Sequence, residues 1–328
     1  MPEIMAALYG GAGPEWELRE VPVPEPGPGR VLVRARAVAL NHADASVLAT
    51  ADPTAGGTGA PYLAGYEFAG EVAALGEGVT GPEVGTRVMG TTPGSFAQYV
   101  PVDHRHVVPV PEGLGYEQAC ALPTGLLTEH GALTRGGFES GQAVLITGAT
   151  SSVGLIGVQV ARALGASTII ATTRSAARGA LLRDVGADEV VATAEADLTD
   201  AVLGITGGEG VDLVLDHVGG QTFAACLPAT RVDGSVVNIG RLDRAAATID
   251  LDALSYRHLR VRGVSFGFSR PAELGAVLSG AADALTPALL DGRVRALIDS
   301  TYGFDGATEA MRRLRSHRAL GKIVLTVP

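Results

Sequence analysis

Apolar and polar residues alternate in short runs through residues 1–122. Arg30–Ala35 and Phe96–Val100 are two of these runs, and such alternation is typical of half-buried strands. Turn-forming segments rich in proline and glycine, such as Pro26–Gly29, separate the runs. The pattern predicts a β-rich, barrel-like domain in this part of the chain.

Between residues 123 and 267 the pattern changes to strands that alternate with helices. Strands are predicted at Val144–Thr147, Thr168–Thr173, Glu189–Ala192, Val211–Asp216, Ser235–Ile239 and Val261–Phe266. Helical stretches, for example Ala176–Val185, lie between most of these strands. Crossovers of this kind predict a doubly wound parallel sheet, and continuous apolar runs fit strands that are covered on both faces. We therefore expect an α/β fold.

The tail, residues 268–328, shows an amphipathic helix at Ala307–Leu314 and a final apolar strand at Gly321–Val327. No helix follows this strand, so it could return to the β-rich domain; an edge position in the parallel sheet is the less natural alternative. The predicted domains are therefore residues 1–122, completed by 268–328, and residues 123–267.

A tight turn of small residues interrupts the sequence VLITGATSSVG at residues 144–154, between a predicted strand and a helix that starts at about Val153. Unpaired backbone N–H groups and the helix dipole favour an anion at such a point. An ordinary buried strand–turn–helix is the alternative. The predicted phosphate-binding residues are Gly148, Thr150, Ser151, Ser152, Val153 and Gly154. Ser151 stands where glycine is usual, and its hydroxyl could bond a phosphate oxygen instead.

Composition narrows the classes of function that the chain can have. Only 18% of its 328 residues are charged, which predicts a large apolar core, and the net charge of −10 disfavours binding to nucleic acid or to an anionic membrane. No apolar run approaches the ~18 residues of a membrane span, and no signal peptide is recognisable. Two isolated cysteines, Cys120 and Cys226, are expected to be free and buried. We expect a cytoplasmic protein.

Several segments along the chain together resemble the medium-chain dehydrogenase/reductase superfamily, in its zinc-free branch of NADPH:quinone oxidoreductases and alkenal or enoyl reductases. They are Ala39–Asp44, Gly65–Gly70, Gly94–Val100, Leu122–Thr128, the phosphate turn and Gly321–Leu325. The resemblance implies a GroES-like catalytic domain at the N-terminus, a Rossmann domain, and a cofactor in the cleft between them.

The zinc ligands of zinc-containing relatives are not matched in this chain. Those relatives place a cysteine at the position of Asn41 and a histidine at that of Tyr66, and neither residue here supplies a thiolate or imidazole. The third ligand has no clear match, although Cys120 is nearby. Asp44 and Glu67 remain, but two carboxylates alone make a poor zinc site. We expect no metal.

The end of the second strand of the predicted Rossmann domain indicates the cofactor. NAD-specific sites place an acidic residue there, whereas this chain has Thr173 and Arg174, followed by Arg178. A guanidinium can bind a 2′-phosphate through two hydrogen bonds, so NADPH is predicted. The alternative is that both arginines belong to a solvated helix start.

The resemblance also implies which residues lie near the nicotinamide. Those expected there or elsewhere on the cofactor are Asn41, His42, Thr128, Gly240, Arg241, Phe266 and Lys322. Asn41, Tyr66 and Thr128 are candidate hydrogen-bond donors that polarise a substrate carbonyl, and Tyr66 or water would supply a proton. His42 could equally touch a phosphate or be a plain loop histidine, and Tyr66 could be a packed core residue.

The predicted function is zinc-independent, NADPH-dependent reduction of a quinone or an α,β-unsaturated carbonyl compound. The alternatives are an enoyl or tailoring reductase of polyketide or secondary metabolism, and a catalytically silent NADPH-binding protein. Related enoyl reductases often carry a tyrosine where this chain has Ser46, which disfavours enoyl-thioester reduction. The resemblance implies a homodimer that pairs the strand at Arg260–Phe266 across a two-fold axis.

Overall fold

The computed structural model describes residues 2–328, which form two compact units. Unit 1 comprises the chain up to Thr124 together with Gly267–Thr286 and Ala296–Pro328. Unit 2 comprises Gly125–Phe266 and Pro287–Arg295. The second unit thus includes a short piece of the tail, which the sequence pattern placed wholly with the first domain.

The strands are β1 Ile4–Gly10, β2 Glu17–Pro22, β3 Arg30–Ala39, β4 Tyr62–Leu63, β5 Glu67–Leu75, β6 Arg87–Thr91, β7 Tyr99–Asp103, β8 Val107–Pro109, β9 Ala143–Ile146, β10 Thr168–Thr173, β11 Glu189–Ala192, β12 Val211–Asp216, β13 Thr230–Asn238, β14 Arg260–Gly263, β15 Ile298–Gly303 and β16 Lys322–Thr326. The α-helices are α1 His42–Ala51, α2 Tyr116–Cys120, α3 Pro123–Gly136, α4 Ser152–Ala163, α5 Gly179–Asp184, α6 Leu198–Ile205, α7 Gly220–Cys226, α8 Leu251–Tyr256, α9 Pro271–Leu290 and α10 Ala307–Arg315. Short 3₁₀ turns lie at Pro53–Ala55, His104–His106, Ala176–Arg178 and Phe304–Gly306.

Unit 1 is built on a large sheet whose strands run in the order β15-β16-β3-β5-β6-β8, with β7 paired to β3, and on a second sheet of order β2-β1-β4. The C-terminal strand β16 lies antiparallel to β3, with Val324 opposite Ala39. This pairing confirms that the last strand returns to the β-rich unit. Apolar side chains of these strands, including Val33, Phe68 and Leu325, form its buried core.

Unit 2 contains a parallel sheet in the order β11-β10-β9-β12-β13-β14. The strand order reverses between β9 and β12, so the chain leaves these two adjacent strands in different directions. In open parallel sheets, ligands bind beyond the carboxyl ends of the strands at this reversal. The predicted α/β class, with a GroES-like sheet domain and a doubly wound parallel sheet, is confirmed.

Several predicted boundaries differ from the structure. The run at Phe96–Val100 becomes a strand only from Tyr99, because Phe96 and Ala97 bond instead to Leu8, Ala64 and Ala7 of other segments. The predicted helix at Ala176–Val185 is a 3₁₀ turn capped by Ser175 and then α5.

The tail contains two elements that the sequence pattern did not indicate, α9 and β15. Its residues in unit 2 are held there by Gln159, whose side chain accepts a hydrogen bond from the Arg295 N–H at 3.0 Å and donates one to the Arg295 carbonyl at 3.1 Å. Cys120 and Cys226 are both free and buried, as expected. Within residues 2–328, no helix has the length and apolar character needed to cross a lipid bilayer.

Candidate functional site

The phosphate turn of unit 2 lies between β9 and α4. Gly148 adopts a positive φ of 58°, which glycine tolerates without strain. A Cβ on Gly154 would lie 2.8 Å from Ala149 Cα, so only glycine permits this close approach of the turn to the helix. Ser151 is the N-cap of α4 and accepts a hydrogen bond from Gly154 N at 3.1 Å.

The start of α4 leaves donors that fit a phosphate. Ser152 and Val153 occupy its first two positions, whose N–H groups have no acceptor within a helix. The Ser151 oxygen accepts the Gly154 bond, and its own hydrogen is free to be donated outward. Uncommitted donors combined with the positive end of a 12-residue helix suit an anion.

The buried carboxylate of Asp216, at the end of β12, stabilises the residue that precedes the turn through a hydrogen bond. Its Oδ1 accepts hydrogen bonds from Thr147 Oγ1 at 2.7 Å and Val218 N at 3.1 Å. Its Oδ2 accepts one from Asn238 Nδ2 at 3.0 Å. The carboxylate therefore ties together the ends of three neighbouring strands, β9, β12 and β13.

The end of β10 shows the environment expected to select the cofactor. Thr173 is buried, Arg174 is exposed directly after the strand, and Arg178 is half-buried in the next turn. An acid does approach this segment from the end of β11, because Glu195 Oε1 accepts a hydrogen bond from Ala176 N at 3.5 Å. The sequence pattern could not reveal this carboxylate, since it reaches the strand end from a different strand.

A second buried acid of unit 2 pairs with a histidine. Glu129 Oε1 on α3 lies 2.6 Å from His217 Nε2, with side-chain exposures of 0% and 5%. The other ring nitrogen, Nδ1, lies 2.9 Å from the carbonyl oxygen of Thr147. Burial lowers the pKa of His217, but the charge and hydrogen bond of Glu129 outweigh it, so the pKa is raised overall. No sequence motif pointed to Glu129 or His217.

The loop after β13 holds two of the predicted cofactor residues. Gly240 donates its N–H to the Asp216 carbonyl, and a Cβ there would lie 2.4 Å from the carbonyl oxygen of His217. Arg241 is exposed beside it, whereas Phe266 is half-buried after β14, and Thr128 is half-buried on α3. Their predicted contacts with a cofactor stay predictions.

A cluster of buried polar side chains lies in unit 1, around the start of α1. Lys322 Nζ donates to Asn41 Oδ1 at 2.7 Å and to Glu67 Oε1, and the Lys322 and Glu67 side chains are 1% and 0% exposed. Asn41 Nδ2 also donates to Glu67 Oε1, at 2.9 Å, and Thr124 N donates to Oε2 at 3.0 Å. The predicted site residues Asn41 and Lys322 are thus brought together by Glu67, 255 residues away from Lys322 in sequence.

Asp44 lies beside this cluster and accepts a hydrogen bond from Asn41 N at 2.6 Å. Its second oxygen, Oδ1, is buried without a partner among the described residues. Burial raises the pKa of Asp44 to about 7, against the hydrogen bond from Asn41, and the charge of Glu67 raises it further. Asp44 therefore changes charge near neutral pH.

Tyr66 lies at the edge of the cluster, half-buried, with its ring stacked on Phe268 at a centroid distance of 6.0 Å. Burial and then the charge of Asp44 raise the pKa of the Tyr66 hydroxyl, so it stays protonated at neutral pH. His42 lies 5.5 Å from His317, and burial together with that histidine lowers the pKa of His42. Tyr66 is thus a hydrogen-bond donor and His42 is mostly neutral.

The donor set of unit 1 does not fit a zinc ion. Asn41 and Tyr66 offer an amide and a phenol, and the nearby Glu67 carboxylate already binds the Lys322 ammonium. Burial raises the pKa of the Cys120 thiol well above its usual value, which disfavours the thiolate that zinc needs. In the described part of the chain, no three His, Cys, Asp or Glu side chains are grouped so that they could hold a metal ion.

Two known protein families match the chain. The alcohol dehydrogenase GroES-like domain matches residues 27–112, and the zinc-binding dehydrogenase family matches residues 152–282. The first match falls within unit 1, and the second begins at Ser152, the first residue of α4, directly after the phosphate turn.

Individual proteins resemble most of the chain. A mycobacterial quinone oxidoreductase superposes with a TM-score of 0.87 at 28% identity and covers 98% of this chain and 99% of its own. A mycobacterial protein whose structure was solved in complex with NADPH gives a TM-score of 0.85 at 28% identity, covering 98% of this chain and 100% of its own.

A curated relative is much longer. A mycocerosic acid synthase-like polyketide synthase of Mycobacterium tuberculosis is 34% identical over 309 residues, which is 92% of this chain. The chain spans only 14% of that relative's length. The chain belongs to the medium-chain dehydrogenase/reductase superfamily of oxidoreductases, as the two domain matches and the similar solved structures show.

Proposed function

We propose that this chain is an NADPH-dependent reductase that works without zinc and acts on a quinone or an α,β-unsaturated carbonyl compound. The observation that carries the proposal is the phosphate turn, where Gly148, Gly154 and the Ser151 cap leave donors at the start of α4. The solved structure of a similar protein with NADPH supports the choice of cofactor.

Arg174 and Arg178 are proposed to favour NADPH over NADH. Arg174 is exposed directly after β10, where a 2′-phosphate is expected, and its guanidinium can form two charge-assisted hydrogen bonds with that group. Glu195 disfavours NADPH, because its carboxylate reaches the same segment and would repel a 2′-phosphate. The preference for NADPH is therefore a balance of charges from two strand ends.

When bound, NADPH supplies the hydride for the reduction. The residues of this chain hold the substrate and donate a proton to the substrate anion that hydride transfer leaves. Tyr66 is the proposed donor, because its hydroxyl keeps its proton at neutral pH and its ring is braced by Phe268. Asn41 and Thr128 stay candidates for polarising the carbonyl oxygen, although the Asn41 amide already bonds Glu67 and Lys322.

A second candidate is reduction of an enoyl thioester. The polyketide synthase relative covers 92% of this chain at 34% identity, which favours an acyl-thioester substrate as an alternative to a quinone. Ser46, exposed on α1, leaves that position without the tyrosine that many enoyl reductases carry. Tyr66 would then be the proton donor for either substrate.

A matched screen of NADPH oxidation tests the proposal. Quinones, 2-alkenals, enoyl thioesters and aldehydes are offered at equal concentration, each with and without a metal chelator. We expect turnover with a quinone or alkenal that the chelator does not change. Turnover of enoyl thioesters alone would select the second candidate. Tight NADPH binding without turnover of any acceptor would indicate a catalytically silent protein, and a chelator-sensitive rate would contradict zinc independence.

We also propose a homodimer that pairs β14 of two copies. This strand is the edge of the parallel sheet, and all four of its residues are exposed, including Val261 at 43%. Exposed strand edges invite pairing with another strand. Sedimentation at micromolar protein should give twice the 33.3 kDa chain mass, and Val261→Lys should shift the protein to the monomer.

A further inference from the structure

The His217 ring contacts two segments of unit 2 that the proposed function assigns to cofactor binding. Its Nδ1 lies 2.9 Å from the carbonyl of Thr147, the residue before Gly148, and its Nε2 lies 2.6 Å from Glu129, the residue after Thr128. Its main chain holds a third: Leu242 donates its N–H to the His217 carbonyl at 3.2 Å. One residue thus braces the phosphate turn, α3 and the loop after Gly240.

The hydrogen bonds determine how many protons the pair contains. A carbonyl oxygen only accepts, so Nδ1 must carry a hydrogen to bond Thr147. Nε2 and the Glu129 carboxyl then share one further proton between them at 2.6 Å. If that proton is lost, a carboxylate faces the bare lone pair of Nε2 in a buried site, and the contact becomes repulsive.

Among residues 2–328, His217 is the only hydrogen-bond partner of the Glu129 carboxyl. Glu129 Oε2 is buried without a partner among the described residues, and it lies against Gly157 of α4, which carries no side chain. The other charge that acts on His217 is Asp216, the residue before it at the end of β12, which is already bonded to Thr147, Val218 and Asn238. The loop that Leu242 anchors to His217 carries two exposed cations, Arg241 and Arg244, and Arg244 is paired with Asp243.

We propose that Glu129 and His217 are positioning residues of the cofactor site, and that one proton shared between them holds the turn and its neighbours in the geometry that binds NADPH. This proposal rests on the proposed function and goes beyond it, because neither side chain needs to touch the cofactor. It predicts that binding is tightest while the pair keeps its proton and weakens when the proton leaves.

The sign of the pH effect follows from the direction of the shift. The pKa of His217 is raised overall. The contribution of the pair to NADPH binding is therefore complete at mildly acidic pH and is lost as pH rises through the raised pKa. The dissociation constant of NADPH should therefore increase on the alkaline side. Glu129→Gln should remove this dependence, because an amide N–H can donate to a neutral Nε2 at any pH.

The test is fluorescence titration of the whole chain with NADPH from about pH 6 to about pH 9. The matched control is Glu139→Gln, which removes the same charge at an exposed position after α3. We expect the wild type and the control to lose about tenfold in affinity across the range, equivalent to ~1.4 kcal/mol. Glu129→Gln should bind like the wild type at the acidic end and keep that affinity at the alkaline end.

His217→Gln serves as a second variant, since glutamine does not titrate and can still donate to Glu129. It should give the same flat profile, and thermal unfolding at each pH confirms that both variants are folded. Parallel profiles for wild type, control and both variants would overturn the positioning role while leaving the proposed function intact. A wild type that binds no NADPH at any pH would overturn the proposed function and this inference together.

Discussion

Each unit of the molecule buries one glutamate completely, and the two glutamates have different partners. Glu67 in unit 1 binds the ammonium of Lys322, whereas Glu129 in unit 2 binds the imidazole of His217. The pKa of His217 is raised overall, and histidine is the side chain whose charge changes nearest to neutral pH, so the pair in unit 2 can respond to pH.

The two carboxylates also differ in how many of their oxygens accept hydrogen bonds. Both oxygens of Glu67 accept hydrogen bonds, from Lys322, Asn41 and Thr124. Glu129 uses one oxygen and leaves the other without a partner in the described residues. The fully bonded Glu67–Lys322 pair stabilises the fold around α1. The Glu129–His217 pair can lose a proton, which suits a region where NADPH binding varies with pH.

The largest expected effect comes from Glu67→Gln. The substitution leaves the Lys322 ammonium buried without its counter-charge, and breaking a buried ion pair in this way costs about 3–5 kcal/mol. Urea unfolding at pH 7 measures the loss, with the exposed Glu139→Gln as the control. A loss below about 1 kcal/mol would show that the pair contributes little to stability.

Asp44→Asn tests the pH response of unit 1 itself. Because the pKa of Asp44 is raised to about 7, the folded state keeps this proton after the unfolded state has lost it, and stability falls as pH rises. The fall should be about 2–3 kcal/mol between pH 5 and pH 8. Asparagine at this position should reduce the slope of unfolding free energy against pH, and an unchanged slope would contradict the assignment.

Arg174→Ala tests the cofactor preference of unit 2. Loss of one charge-assisted contact to the 2′-phosphate should raise the KM for NADPH about tenfold, or ~1.4 kcal/mol, and leave that for NADH nearly unchanged. Steady-state kinetics with both cofactors measure the split. Equal effects on the two cofactors would mean that Arg174 does not read the 2′-phosphate.

The smallest effect on stability is expected for Glu129→Gln, the counterpart of the first substitution. Histidine can be neutral at pH 7 at little cost, and the new amide can donate to it, so the loss should stay below about 1 kcal/mol. Urea unfolding under the same conditions gives the comparison. A loss as large as that of Glu67→Gln would show that His217 is a buried cation that requires a carboxylate.

The fold was predictable from the sequence where local patterns carry it. Apolar runs with small-residue turns indicated the parallel sheet and the phosphate turn, and the final apolar strand was correctly expected to join the β-rich unit. The helix α9 was missed, although it is 20 residues long and contains Pro287. Its buried residues Leu274, Leu278, Ala281 and Leu285 do recur at helical spacing, but the alanines and glycines between them reduce the contrast between the two faces in the sequence.

The site was predictable only in part. The residues of the phosphate turn are contiguous, so their spacing indicated them directly. Glu129 and His217 are 88 residues apart, and Lys322 and Glu67 are 255 apart, so only the tertiary packing brings each pair together. A buried acidic residue cannot be recognised from the sequence alone, because the same residue types occur mostly at the solvent-exposed surface.

Gly157 couples α4 to the Glu129–His217 pair through one contact. A Cβ at this position would lie 2.4 Å from Glu129 Oε2, so a side chain here and the carboxylate cannot both keep their present positions. The flexible end of the glutamate would have to move, which would disturb its contact with His217. A substitution at residue 157 would therefore act on the pair from a helix that neither member of the pair belongs to.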